Sequence, residues 1–179
     1  MDPPAAYGQA VEAALGRLPS RPFAGASLDD IARSAGIGEA DLRSRYADRE
    51  RLLCELLSPL LSALLQLSTS ASAADLRQAH AVRAVIDGYM DALLVHRPLL
   101  DIVLADPMAE NSESVQLVRR AMSSLRDQLA QGTGSELEGR IRAASALGAV
   151  QAAVLEPAEF DAATVRDVIA EAAVAILLS

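Results

Sequence analysis

The chain has 179 residues and a formal net charge of −8, a length that fits one domain or a small domain sharing its core with a larger one. A chain of this size buries roughly 70% of its unfolded surface and needs no disulfide or metal staples. A single cysteine, Cys54, excludes an intrachain disulfide, no uninterrupted apolar run approaches the roughly 18 residues of a membrane span, and the charge is not the strongly basic footprint of a non-specific nucleic-acid binder.

The start, "MDPPAAYGQA", has neither a basic n-region nor an apolar h-region. With the lone cysteine this predicts a cytoplasmic protein with no membrane partner. All sixteen basic residues are arginine and threonine occurs three times, while Ala, Leu, Glu and Arg dominate. That composition favours helix throughout, so the expected fold is all-α. Charge is unevenly spread. Residues 1–51 hold eight acids against seven arginines, and the remaining residues hold sixteen against nine. A near-neutral N-terminal unit on an acidic body is compatible with a small DNA-facing head.

In chain order, "AYGQAVEAALGRL" predicts a short first helix with Val11, Ala14, Leu15 and Leu18 on one face, ended by "PSRPFAGA". "SLDDIARSAG" predicts a second, with Ser27 and Asp30 as a capping-box pair and Gly36 as its stop. "GIGEADLRSRY" follows as the third, with Leu42 and Tyr46 pointing inward at i,i+4. Asp48 then caps a long fourth helix whose leucine pairs, from Leu52/Leu53 to Leu64/Leu65, recur every four residues. Pro59 is expected to bend it. "STSASAA" is read as a small-residue connection between head and body. Further helices are predicted over roughly 74–95, from Pro98, and over about 112–131. After the turn "QGTGS" two more are expected, near 135–155 and 161–178. The last carries Val165, Val168, Ile169, Ala172, Ile176 and Leu177 on one side.

Three short helices, a long fourth and a helical body resemble the tetracycline-repressor (TetR) family of transcriptional regulators. The resemblance is carried by "AVEAALGRL" and "RPFAGASLDDIARSAGIGEADLRSRYADRERLL", where Phe23, Ser27, Ile31, Ala32, Ala35, Gly36, Ile37, Leu42, Tyr46 and Arg49 occupy the family's pattern positions. It implies an N-terminal three-helix helix-turn-helix head over 1–50, joined by the fourth helix to a ligand-binding and dimerisation body over 51–179. It implies a ligand-responsive repressor that binds operator DNA as a homodimer through its last two helices. The DNA-facing positions it implies are Ser27, Gly38, Glu39, Ala40, Arg43, Arg45, Tyr46 and Arg49.

The reading helix departs from the family. Gly38 stands where a capping Ser is usual, Glu39 where Lys is common, Asp41 where Thr is common, and Arg43 and Arg45 at the Tyr and His places. Acids in a first helical turn are favoured by the macrodipole by about 0.3–1 kcal/mol each, and Asp41 with Arg45 forms a stabilising i,i+4 spacing. Glu39 could equally accept a hydrogen bond from cytosine N4. A third reading is a TetR-like ligand- or protein-binding module whose head no longer binds DNA. Arg43 and Arg45, about 200° apart around a helix, cannot both face base edges, so at least one is assigned, with Arg49 and Ser27, to phosphates.

For the body, the resemblance places a pocket lined by Tyr89, Met90, Leu93, Val118, Met122 and Leu125, although apolar stripes at this spacing are also ordinary core. The acidic body predicts a small, mostly apolar effector, neutral or cationic. Asp87 and Asp91 could meet a cation, or form a solvated i,i+4 ladder with Arg83. "AASALGAVQAA" and the stripe Val165–Leu177 hold more apolar surface than one body needs, which predicts a four-helix dimer seam. His80 and His96 lack neighbours at ligand spacing, so no metal or other cofactor is expected, and His96 reads as a helix-end residue. There is no nucleophile elbow, phosphate loop or HExxH, so no enzymatic activity is expected.

Overall fold

A computed structural model describes residue 11 and residues 27–104, 111–131, 136–155 and 162–179. Among them the architecture is all-α, without strands. The helices are α1 (Leu28–Ala35), α2 (Glu39–Arg45), α3 (Arg49–Ala73), α4 (Ala79–Val95), α5 (Arg97–Leu104), α6 (Glu113–Gln131), α7 (Glu136–Leu155) and α8 (Ala162–Leu178). The first predicted helix lies outside the described residues apart from Val11, which is helical and buried. The turn "QGTGS" also lies outside them, apart from Gln131.

The chain divides into two compact units. One takes its residues from Met1–Pro59 and Pro98–Arg119, the other from Leu60–Arg97 and Arg120–Ser179. In the first unit, α1 begins with the capping box foreseen. The Ser27 hydroxyl accepts the Asp30 N–H at 3.1 Å, and the Asp30 carboxylate accepts the Ser27 N–H at 3.0 Å. It ends in a Schellman turn: Gly36 adopts φ 68°, its N–H bonds to Arg33 O, and the Ile37 N–H reaches back to Ala32 O at 2.9 Å. Only a residue without Cβ takes that left-handed conformation at little expense.

Asp48 caps α3, accepting the Arg51 N–H at 2.8 Å. Leu52, Leu53, Leu56, Leu57, Leu60 and Leu64 are buried, as the four-residue recurrence predicts, whereas Leu61 is half-buried and Leu65 is exposed. By length and composition alone α3 could cross a membrane. In this fold its buried leucines line the interior. The reading of "STSASAA" as a connection is corrected, because α3 continues through Ala73. Alanine is the best helix former. The Thr69 and Ser72 hydroxyls bond back to the carbonyls of Leu65 and Thr69 within the helix, at 2.9 and 2.8 Å, and Ser68 and Ala71 supply a buried face. The turn falls later, at Ala74–Gln78, where the Asp75 carboxylate holds the side chains of Arg77 and Gln78. α4 therefore starts at Ala79.

Also in the first unit, the Glu50 carboxylate meets the start of α6. It accepts the Ser114 N–H at 2.9 Å and the Ser114 hydroxyl at 2.7 Å, while Ser112 caps the Val115 N–H at 3.2 Å. Ser112 and Ser114 are both buried.

The second unit is built on α4, α7 and α8, which pack against one another, α7 and α8 most extensively. Arg83 bridges Asp87 and Asp167 at 2.9 Å each, and Arg166 grips Asp91 at 2.6 and 3.0 Å. The expected Arg83–Asp87 pair is therefore present, but Asp91 turns to α8. Buried Tyr89 accepts a hydrogen bond from the Gln151 amide at 2.6 Å, and Arg97 closes the end of α7 on the Leu155 carbonyl at 3.0 Å.

Candidate functional site

α1, the turn Gly36–Gly38 and α2 form a helix-turn-helix whose two helices pack together. The Leu42 side chain at the centre of α2 is fully buried. Tyr46 is buried too, so of the eight residues expected at the DNA face it belongs to the interior. Its hydroxyl donates to Glu55 at 2.8 Å. Burial first, then that carboxylate, push its pKa up to about 12. Ser27, Gly38, Glu39, Ala40, Arg43 and Arg45 are exposed and Arg49 is half-buried.

Gly38 is the N-cap of α2 and, having no side chain, makes no side-chain cap. The space is taken by Asp41, whose Oδ2 would lie 2.8 Å from a Cβ built on Gly38. The Asp41 carboxylate thus lies over the N-cap position. Glu39 meets Arg33 of α1 at 3.2 Å, and Arg33 also holds Asp30 at 3.1 Å. Arg43 makes a two-pronged contact with Asp29 in the first turn of α1: Nε donates to Oδ1 at 2.7 Å and Nη2 donates to Oδ2. That carboxylate raises the Arg43 pKa above its ordinary value. Arg45 reaches Glu55 at 3.4 Å and lies 5.8 Å from the centre of the Tyr46 ring.

Glu39 of "GIGEADLRSRY" thus serves an arginine of α1, while Asp41 lies over Gly38 and not on Arg45. Arg33, Arg43 and Arg45 each face a carboxylate, Arg45 one on α3. Arg43 and Arg45 are exposed, as DNA contacts would have to be, but sequence reasoning missed Asp29 and Glu55, which lie 14 and 10 residues away in the chain. Helical periodicity carries no signal across a turn.

In the body, Tyr89, Met90, Leu93, Met122 and Leu125 are buried in the second unit, and Val118 is buried in the first. The second unit has an open cleft of about 640 Å³ lined by Arg126, Asp127, Ala130, Gln131, Glu136 and Arg140. A smaller one of about 330 Å³ is lined by residues from Ala71 to Arg77 and by Gln128 and Gln131. Neither is lined by any of the six expected pocket residues. Among the described residues, no three His, Cys, Asp or Glu side chains converge as a metal site.

No family model matches the chain, and no curated protein matches it significantly. Solved structures do. A TetR-family transcriptional regulator from Streptomyces coelicolor A3 superposes with a TM-score of 0.68 at 17% identity, over 95% of this chain and 89% of that one. A transcriptional regulator from Rhodococcus sp. Rha1 gives 0.62 at 21% identity, over 95% and 93%. The fold is TetR-like. The regulator FadR from Bacillus subtilis, in complex with stearoyl-CoA, shares that fold with a TM-score of 0.55 at 14% identity, over 93% and 97%. At these identities the likeness is one of fold. Within the TetR-like frame, α1 and α2 form the helix-turn-helix, and α7 and α8 are the last two helices.

Proposed function

We propose that the chain is a TetR-type, ligand-responsive transcriptional regulator, a repressor that binds operator DNA as a homodimer. Residues 1–50 are the reading head and 51–179 the ligand-binding and dimerisation body. The observation that carries this reading is the helix-turn-helix, with a capped α1, a left-handed Gly36 turn and an α2 that exposes Glu39, Ala40, Arg43 and Arg45. A gel shift at low salt with DNA upstream of the protein's own gene tests it. Glu39→Gln sharpens the result. Because Glu39 is tied to Arg33, the substitution is expected to tighten binding to every duplex alike, by removing a charge that repels phosphates. Lost discrimination at one base pair, worth about 1–3 kcal/mol, would instead make Glu39 a cytosine reader.

A second reading, a head that contacts protein and no longer binds DNA, is favoured by the carboxylates facing Arg33, Arg43 and Arg45. It prevails if neither wild type nor Glu39→Gln shifts any promoter fragment.

The homodimer reading rests on apolar side chains that one chain leaves uncovered. Leu137, Ile141 and Val168 are 72%, 58% and 61% exposed on α7 and α8. A Cβ added to Gly148 would meet nothing within 4 Å, which leaves room for a close helix approach. Light scattering should give a dimer at micromolar concentration, and Val168→Glu should give a monomer. A wild-type monomer sinks the seam.

The effector is proposed as small and mostly apolar, neutral or cationic, bound at the set Tyr89, Met90, Leu93, Met122 and Leu125 buried in the second unit. A thermal-shift panel of small apolar and cationic compounds tests it, and the claim fails if none raises the melting temperature. A long-chain acyl-CoA, large and polyanionic, is included as the rival chemistry because a structural neighbour is a complex with stearoyl-CoA. A ligand bound only to the folded state must raise the melting temperature.

A further inference from the structure

The Asp29–Arg43 contact links the first turn of α1 to the last turn of α2. Asp29 is half-buried at 26% side-chain exposure, and Arg43 is open to solvent at 63%. Asp29 occupies the Nε/Nη2 edge of the guanidinium, one of the two edges by which arginine grips a phosphate or the O6/N7 pair of guanine. The other edge, Nη1 with the second Nη2 hydrogen, stays open, so Arg43 can take DNA end-on only with the carboxylate still beside it, and side-on only by displacing that carboxylate. An exposed ion pair of this kind is weak enough to exchange, yet it offers Arg43 an internal anion at every moment the head is free.

We propose that Asp29 is a resident competitor for Arg43, a carboxylate that stands in for DNA on the reading helix and sets the head's affinity and salt dependence. The proposal rests on the DNA-reading head described above. Neutralising Asp29 opens the Nε/Nη2 edge to a phosphate and removes an anion from the protein surface beside it. Each subunit then makes one more phosphate contact, so the slope of log affinity against log salt steepens by about 0.9 per subunit. At low salt the gain should be roughly tenfold per dimer, the scale of one exposed ion pair released in each subunit.

The test measures fluorescence anisotropy of wild type, Asp29→Asn, Arg43→Gln and the double variant. Two duplexes are titrated over a salt series, one from upstream of the protein's own gene and one of shuffled sequence. Circular dichroism melts confirm that each variant is folded, and Asp29→Ala serves as a second neutralising variant should Asp29→Asn not fold. The expected result is tighter binding and a steeper slope for the Asp29 variant, with most of the gain lost when Arg43 is Gln. An equal gain with and without Arg43 overturns the proposal, since Asp29 would then act only as bulk charge. No gain on DNA that wild type binds overturns it and leaves the DNA reading standing. No binding of either duplex by any variant, at the lowest salt, overturns both.

Discussion

Gly139→Ala should destabilise the second unit by about 2 kcal/mol or more, the scale of overpacking a close-packed core. Gly139 lies buried in the first turn of α7, where a Cβ would fall 2.2 Å from the Ala130 carbonyl oxygen, 3.1 Å from its carbon and 3.4 Å from its Cα. These are backbone atoms of α6, so no side chain can swing aside, and α6 and α7 would have to part. Helix propensity pulls the other way by only about 1 kcal/mol in favour of Ala. The clash wins. For a chain of this length the loss corresponds to a melting temperature lower by roughly 4 °C or more. Gly148→Ala, on the same helix with nothing within 4 Å of its Cβ, is the control. It should leave one chain's fold unharmed or slightly firmer. Any loss at Gly148 should vary with protein concentration, because it would come from the dimer seam. The loss at Gly139 should not.

The contrast between these two glycines marks the limit of what the sequence reveals. Both stand in a continuous alanine-rich helix, and no local pattern separates the one under a neighbouring carbonyl from the one in open space. Features that depend on a few adjacent residues were legible: the Ser27–Asp30 box, the Gly36 stop, the Asp48 cap, the buried leucines of α3 and the inward Leu42 and Tyr46. Misreadings arose where composition alone was the guide. "STSASAA" is small and polar, as linkers are, but alanine propensity and hydroxyls bonding back to the helix keep α3 going. In α8 the chain itself buries Ala170, Ala173 and Leu177, while Val168 of the expected stripe is exposed. That helix is apolar nearly all round, so periodicity could not choose the face. Partners far apart in sequence were invisible, Asp29 for Arg43 and Arg166 for Asp91 among them. The likeness to TetR regulators pointed to the right fold, but it could not show that Arg33, Arg43 and Arg45 already face carboxylates of the same chain.

Glu50 offers the second large effect, through the same kind of long-range partner. Its carboxylate, at the start of α3, serves Ser114 64 residues away with two hydrogen bonds, to the N–H and to the hydroxyl. Both groups sit on a buried residue in the first turn of α6. There the carboxylate is also favoured by the positive end of the helix. Glu50→Ala leaves a buried donor pair without its acceptor and should cost about 1–3 kcal/mol, the range for hydrogen bonds to a charged group and for stranding their partners. Glu50→Gln keeps an acceptor oxygen and should lose less. Burial raises the Glu50 pKa, but the hydrogen bonds from Ser114 and Ser112 outweigh it and hold the group below its ordinary value. A carboxylate with a depressed folded pKa binds its proton more readily in the unfolded chain. Its stabilisation is therefore complete above the unfolded value of about 4.3 and fades as pH falls through the lower folded one. Urea melts at pH 7 and near pH 3.5 should show the stability gap between wild type and Glu50→Gln shrinking at the acid end. A gap that stays constant across that range would mean that the charge on Glu50 contributes nothing to holding α6 in place.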